Sequence, residues 1–381
     1  MKRLVLVGAL AGLAWAAGLR GWMVQIAAAE GSTFHWYGTF ALVLLPGALV
    51  GAAFGLAEHR RRAGLPRNGW LVLAPVLFAS ALLDPVIFEL FITQGIGGGA
   101  LGVALTGLAG GYALSGRGRA WWRRTCGVFA GLLVLLVLVM GSDLHPLGEP
   151  HGLWVGLHAS SLVALLCLAC AIPQRADRPV LVPAAWHAVG IGALAGFAWA
   201  ASLRAFMTEV AGEESTVSWS GTFVWVLLPG TVIGALLAWA EWRRWASPVP
   251  YRRWLVWSPM LFAAILLTDP LFFLDPTGGV GLAAIAMPAM CVLGGYALAG
   301  RGAPWVRTLC GVVFASSIPV WALTAEDVGG PALALTNPRG AWAAVLYWSL
   351  LATFALAAAI PHRRPEAELA APDNPLAVAA R

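Results

Sequence analysis

Charge is what this chain has least of. Asp, Glu, Lys and Arg make up 11% of its 381 residues, against about 25% in soluble domains. Too few charges remain to wet a globular surface. With 60% hydrophobic residues, most of the surface must face lipid. Cysteine is scarce too. Cys126, Cys167, Cys170, Cys291 and Cys310 all lie in apolar runs, with neither a disulfide ladder nor the paired spacing of a zinc or redox site. Cys167 and Cys170, one helical turn apart in LLCLACAIP, read as packing residues. The sequence holds no G-x-S-x-G, no H-E-x-x-H, no P-loop and no dinucleotide fingerprint. The usual hydrolytic and nucleotide chemistries therefore have no carrier, and neither enzyme activity nor a cofactor is expected. GIGGG at 95–99 lies in an apolar run with no strand before it, so it is not a phosphate cradle.

What the chain does contain is itself, twice. GALAGLAWAAGLR (8–20) returns as GALAGFAWAASLR (192–204) with two letters changed. EGSTFHWYGTFALVLLPGALVGAAFGLAEHRR (30–61) matches EESTVSWSGTFVWVLLPGTVIGALLAWAEWRR (213–244). LFASALLDP matches LFAAILLTDP, GGYALSGRG matches GGYALAGRG, and AIP closes both halves at 171–173 and 359–361. A repeat this long is a duplicated domain. The start has the form of a signal peptide, with AAA at 27–29 as a cleavage site. Its internal copy argues instead that both segments are permanent spans.

A span needs about 20 apolar residues. On that measure the expected architecture is an all-α, polytopic transmembrane helical bundle of 12 spans in two parallel tandem repeats of six. The first six lie near 4–27, 38–57, 70–91, 95–115, 121–141 and 152–172. The second six lie near 185–208, 221–240, 254–274, 279–299, 305–323 and 340–360. The expected divisions are 1–178, 179–365 and a disordered cytoplasmic tail at 366–381. With both termini cytoplasmic, all of the 24 Lys and Arg except Arg20, Arg204 and Arg339 fall inside. That is the positive-inside pattern of a plasma (cytoplasmic) membrane protein. The net charge of +6 then reflects orientation and attraction to the inner leaflet, not nucleic-acid binding. Six spans per copy thread both copies in the same sense. Trp36 and Trp219, and at the other ends Trp70, Trp254, Trp121 and Trp305, suit interfacial anchors.

No span has an Asp, Glu, Lys or Arg near its middle. Arg20 lies about 24 Å along its helix from Leu4, and Asp84 about 21 Å beyond Trp70, at 1.5 Å per residue. The matched depths predict that Arg20 pairs with Asp84, and Arg204 with Asp269, in the outer third of each copy. Glu30 and Glu213 are alternative partners, and snorkelling is the bland alternative. Each Asp precedes a proline, which disfavours helix at the Asp. Pro46-Gly47 and Pro229-Gly230 are candidate helix breaks, and each glycine opens a GxxxG. One loop is not duplicated. It carries Asp143, His145, Glu149, His151 and His158, which have the donor chemistry of a divalent metal site and the blander reading of a polar outer loop.

Two parallel six-span halves resemble the architecture of the major facilitator transporters. Their inner-loop signature falls where AEHRRR (57–62) and AEWRR (240–244) stand here, with a different glycine spacing. The expected function is a transporter or permease for a small, amphiphilic or lipid-like solute. The lack of midplane Asp and Glu argues against proton coupling through a buried carboxylate. The alternatives are a non-catalytic membrane protein acting through a partner, and a membrane-embedded enzyme at the outer face. The expected partners are the bilayer and a small-molecule or lipid-like ligand.

Overall fold

Apolar runs of this length must pair their own backbone groups, and in lipid a single run does so only as helix. The computed structural model of the chain is accordingly all-helical, with no strand among the described residues. Those residues are 1–26, 33–94, 98–140, 142, 145–175, 184–212, 215–246, 253–267 and 280–363. In order they form α1 (Lys2–Gln25), α2 (Trp36–Arg62), a 3₁₀ segment (Gly69–Leu83), α3 (Pro85–Gln94), α4 (Gly98–Leu114), α5 (Ala120–Val139) and α6 (Pro150–Cys170). There follow α7 (Ala185–Ala211), α8 (Trp219–Ala246), a second 3₁₀ segment (Arg253–Leu267), α9 (Val280–Leu298), α10 (Pro304–Ala315), α11 (Ser317–Gly329) and α12 (Pro338–Ala358). Among the described residues, eight helices are long and apolar enough to cross a membrane, α10 and α11 counting as one run. The six tryptophans expected as anchors are all exposed.

The chain divides into two compact units. The first comprises Met1–Pro179, Ser202–Val217 and Ala325–Ser349. Within it α1 and α2 touch backbone to backbone. A Cβ at Gly12 would overlap the Gly47 carbonyl oxygen, and one at Gly8 the Gly51 carbonyl oxygen. Only glycine permits this approach. Beside it Val50, Phe54, Ala74, Phe78, Leu166 and Cys170 form a buried cluster. Trp15 packs on Phe78 (5.2 Å) and donates its indole N–H to Leu162 O at 2.8 Å. The thiol-bearing face of α6 fills the glycine row of α4: a Cβ at Gly110 would overlap Cys167 Sγ. The paired cysteines are thus packing groups.

The second unit comprises Val180–Ala201, Ser218–Thr324 and Leu350–Arg381. Gly192 and Gly196 meet Gly234 and Gly230 in the same backbone contact. Trp199 donates to Leu350 O at 2.9 Å and lies against Phe262 and Phe354.

Pro46 and Pro229 do not break their helices. The turns ahead of each are widened to π geometry over Trp36–Leu44 and Trp219–Leu227, and the helix runs on as α. Leu45 N donates to Phe40 O, and Leu228 N to Phe223 O, five residues back. The extra residue relieves the clash of the proline ring with the turn below. The break falls at Asp84-Pro85 instead, where the 3₁₀ segment and α3 meet at 93°.

Candidate functional site

Each arginine that closes the repeated phrase ties down the chain that follows its own helix. Arg20 Nη2 donates to Thr33 O at 2.9 Å, and Arg204 Nη2 donates to Thr216 O at 2.7 Å. Thr33 and Thr216 are the matched threonines of EGSTF and EESTV. Both arginines are buried and both lie on aromatic faces: Arg20 is 4.3 Å from the Phe34 ring centre, and Arg204 is 5.7 Å from that of Trp154. Stacking suits a guanidinium because the plane stays available to the ring while its edge donates hydrogen bonds.

Asp84 is not the partner of Arg20. Its Oδ1 accepts from Val86 N (2.9 Å) and Ile87 N (3.2 Å), capping α3 across the break. The physical reason is the rise of the segment before it. At about 2.0 Å per residue in 3₁₀ geometry rather than 1.5 Å in α, Asp84 lies roughly 7 Å farther from Trp70 than a depth match with Arg20 needs. Asp269, Glu30 and Glu213 lie outside the described residues.

A polar cluster gathers around Arg20 and Arg204, within the first unit, from the C-terminal ends of α1 and α7 and the N-terminal ends of α6 and α12. Gln25 is its hub. His145 Nε2 lies 3.2 Å from Gln25 O, and His151 Nε2 lies 3.2 Å from Gln25 Oε1. Both partners are acceptors, so both Nε2 atoms must carry hydrogen. Gln25 Nε2 donates to Thr208 Oγ1 (3.1 Å), which donates to Ala205 O (2.7 Å). The chain of donors therefore has one direction, from His151 to the α7 backbone. Close by, Arg339 Nε donates to the buried carboxylate of Glu209 at 2.9 Å. In the two sequence copies Gln25 corresponds to Glu209, and His151 of PHGLW to Arg339 of PRGAW. One copy carries a neutral hydrogen-bonded pair where the other carries an ion pair.

The cluster is asymmetric at a second point. His158 is fully buried, with Nε2 3.1 Å from Ser202 Oγ. Ser202 is one of the two letters that differ between GALAGLAWAAGLR and GALAGFAWAASLR, and its counterpart is Gly18. Gly18 faces Ser202, and a Cβ there would overlap its hydroxyl. Among the described residues, His158 Nδ1 has no hydrogen-bond partner, nor has the indole N–H of fully buried Trp154 or that of Trp22. Trp342, the counterpart of Trp154, donates to Ala17 O at 3.1 Å and packs on Phe34. The chain matches no known protein family, no curated protein and no solved structure.

The residues offered as metal ligands do not gather into one site. No group of three His, Cys, Asp or Glu side chains with ligand geometry occurs among the described residues, and Asp143 lies outside them. His145 and His151 stack at 4.0 Å, with both Nε2 atoms committed as donors. Their Nδ1 atoms keep a lone pair, but no third His, Cys, Asp or Glu side chain joins them among the described residues. His158 is bonded elsewhere, and Glu149 precedes α6 without capping it through its side chain. Reading the residues in order missed Gln25, Ser202, Thr208 and Glu209. The available signal was the two-letter difference within the repeated phrase, which singles out position 202.

Proposed function

We propose that the chain is a plasma-membrane protein of twelve spans in two parallel six-span copies, both termini cytoplasmic, that binds and carries a small or amphiphilic solute with a polar end. Span arithmetic favours twelve over eight. Each 15-residue 3₁₀ segment reaches about 30 Å at 2.0 Å per residue, the thickness of the hydrocarbon core. The 17 residues of α4 reach about 26 Å at 1.5 Å per residue, and the 19 of α9 about 29 Å.

The observation that carries the solute reading is the pair of orphaned polar atoms beside the cluster, His158 Nδ1 and Trp154 Nε1. A buried donor or acceptor left unpaired costs about 1–3 kcal/mol. An ionisable side chain retained inside a membrane segment, here His158, is a functional-site hypothesis by default. One acceptor-capable ring nitrogen and one fixed donor suit a ligand that offers both, such as a hydroxyl or a neutral amide.

A thermal-shift screen of small polar and amphiphilic solutes on the purified protein tests this. A ligand at 100 times its Kd adds about 2.7 kcal/mol. Its stabilisation is expected to vanish in His158→Leu, a residue tolerated at the matched position Leu346, and to weaken in Trp154→Phe. Hits that survive both substitutions would remove the cluster as the binding site. Flux of a hit into proteoliposomes separates carriage from the partner-binding reading, in which the hit binds but does not cross.

A further inference from the structure

At the other end of the first unit, where α2 and α6 finish and the first 3₁₀ segment begins, lies a cavity of about 20 Å³ rimmed by arginine. Arg60, Arg61, Arg67 and Arg175 line it, with Asn68 and Pro173. Two of these arginines donate to backbone carbonyls. Arg60 donates through both Nε (3.2 Å) and Nη2 (2.8 Å) to Pro66 O, and Arg67 Nε donates to Pro173 O at 2.7 Å. A carbonyl orients the Arg60 guanidinium without neutralising it. Among the described residues of this corner, the Glu58 carboxylate is taken by Arg61 and Arg62 at 2.7 Å each. Arg175 is exposed at the mouth, and its carbonyl accepts from Arg117 at 3.3 Å. Asn68 spends its Oδ1 on Trp70 N and keeps its NH₂ as a donor.

We propose that this pocket binds a phosphate-bearing anion. The cavity holds about one water-sized atom, so it takes a single phosphate oxygen while the others meet Arg60 and Arg175 at the rim. Bidentate guanidinium recognition suits that tetrahedral group. The same chemistry is offered by an anionic phospholipid headgroup and by free phosphate. Basic pockets between membrane helices recognise such headgroups. The orientation proposed above would set the pocket against the cytoplasmic leaflet, but binding does not depend on that orientation or on the solute reading.

The test is native mass spectrometry and thermal shift on the full chain in nanodiscs. Phosphatidylglycerol is expected to bind more tightly than phosphatidylcholine. The double variant Arg60→Gln/Arg175→Gln should weaken that preference about tenfold or more, and Arg175→Gln alone about fivefold. In phosphatidylcholine nanodiscs, stabilisation by millimolar inorganic phosphate that Arg175→Gln removes would assign the site to the free anion. Stabilisation by phosphatidylglycerol alone would assign it to the lipid. Arg124→Gln, an exposed arginine outside the pocket, controls for diffuse charge. Equal losses in Arg124→Gln and Arg175→Gln, or no preference for either anion in the unaltered protein, would overturn the pocket.

Discussion

Arg20 and Arg204 perform the same task one copy apart. Each folds the chain after its helix back onto that helix through a threonine carbonyl, and each is backed by an aromatic ring. Arg20→Gln and Arg204→Gln are each expected to cost about 1.5–3 kcal/mol, the worth of a charge-assisted bond, read as a lower melting temperature in detergent. Arg20→Lys should recover little, because an ammonium neither stacks on Phe34 nor forks. The cycle Arg20→Ala, Asp84→Ala and the double variant should be additive within about 0.5 kcal/mol. Coupling well above that would restore the pair that matched depths predicted. The position of the cation was legible, since arginine opposes the inward bias of the other basic residues. Its partner was not, because a depth estimate is only as good as the assumed rise per residue.

Among the elements, the glycine faces decide how closely helices approach. Gly12→Ala and Gly196→Ala each drive a methyl group into an opposing carbonyl oxygen and should cost about 1–3 kcal/mol by overpacking. Gly131→Ala, on α5 with open space around it, should be neutral or stabilising by about 0.5–1 kcal/mol, since alanine is the better helix former. Melting temperatures of the three variants check both signs. The GxxxG faces could be read from spacing alone. The π turns before Pro46 and Pro229 could not, nor could the 3₁₀ geometry of Gly69–Leu83. An apolar run with no polar face carries no periodicity to tell one helical pitch from another.

For the whole molecule, the number of crossings sets which loops share a side. Cysteines introduced at Ala63 and Arg119, both exposed loop positions, are expected to react with a membrane-impermeant maleimide only from the cytoplasmic side. Those at Gly148 and Thr336 should react only from outside. Ala63 and Arg119 are separated by two of the short segments, the 3₁₀ stretch with α3 and then α4. If they label from opposite sides, one of these does not cross and the twelve-span topology fails. The cluster of Gln25, His151, His158, Ser202, Glu209 and Arg339 also belongs to this scale. Its members are up to 314 residues apart (339 − 25) and meet only because four helix ends converge in one unit.

Composition and repetition were enough to expect helices long and apolar enough to cross a membrane and to mark Arg20, Arg204, Gly12 and Gly196, because lipid leaves a chain few ways to satisfy its backbone and close helix contact leaves few residues that fit. Which side chains meet was decided by the tertiary structure. His158 finds Ser202, Gln25 finds His151, and Asp84 turns back to its own helix because pitch and convergence set distances that spacing along the chain does not encode.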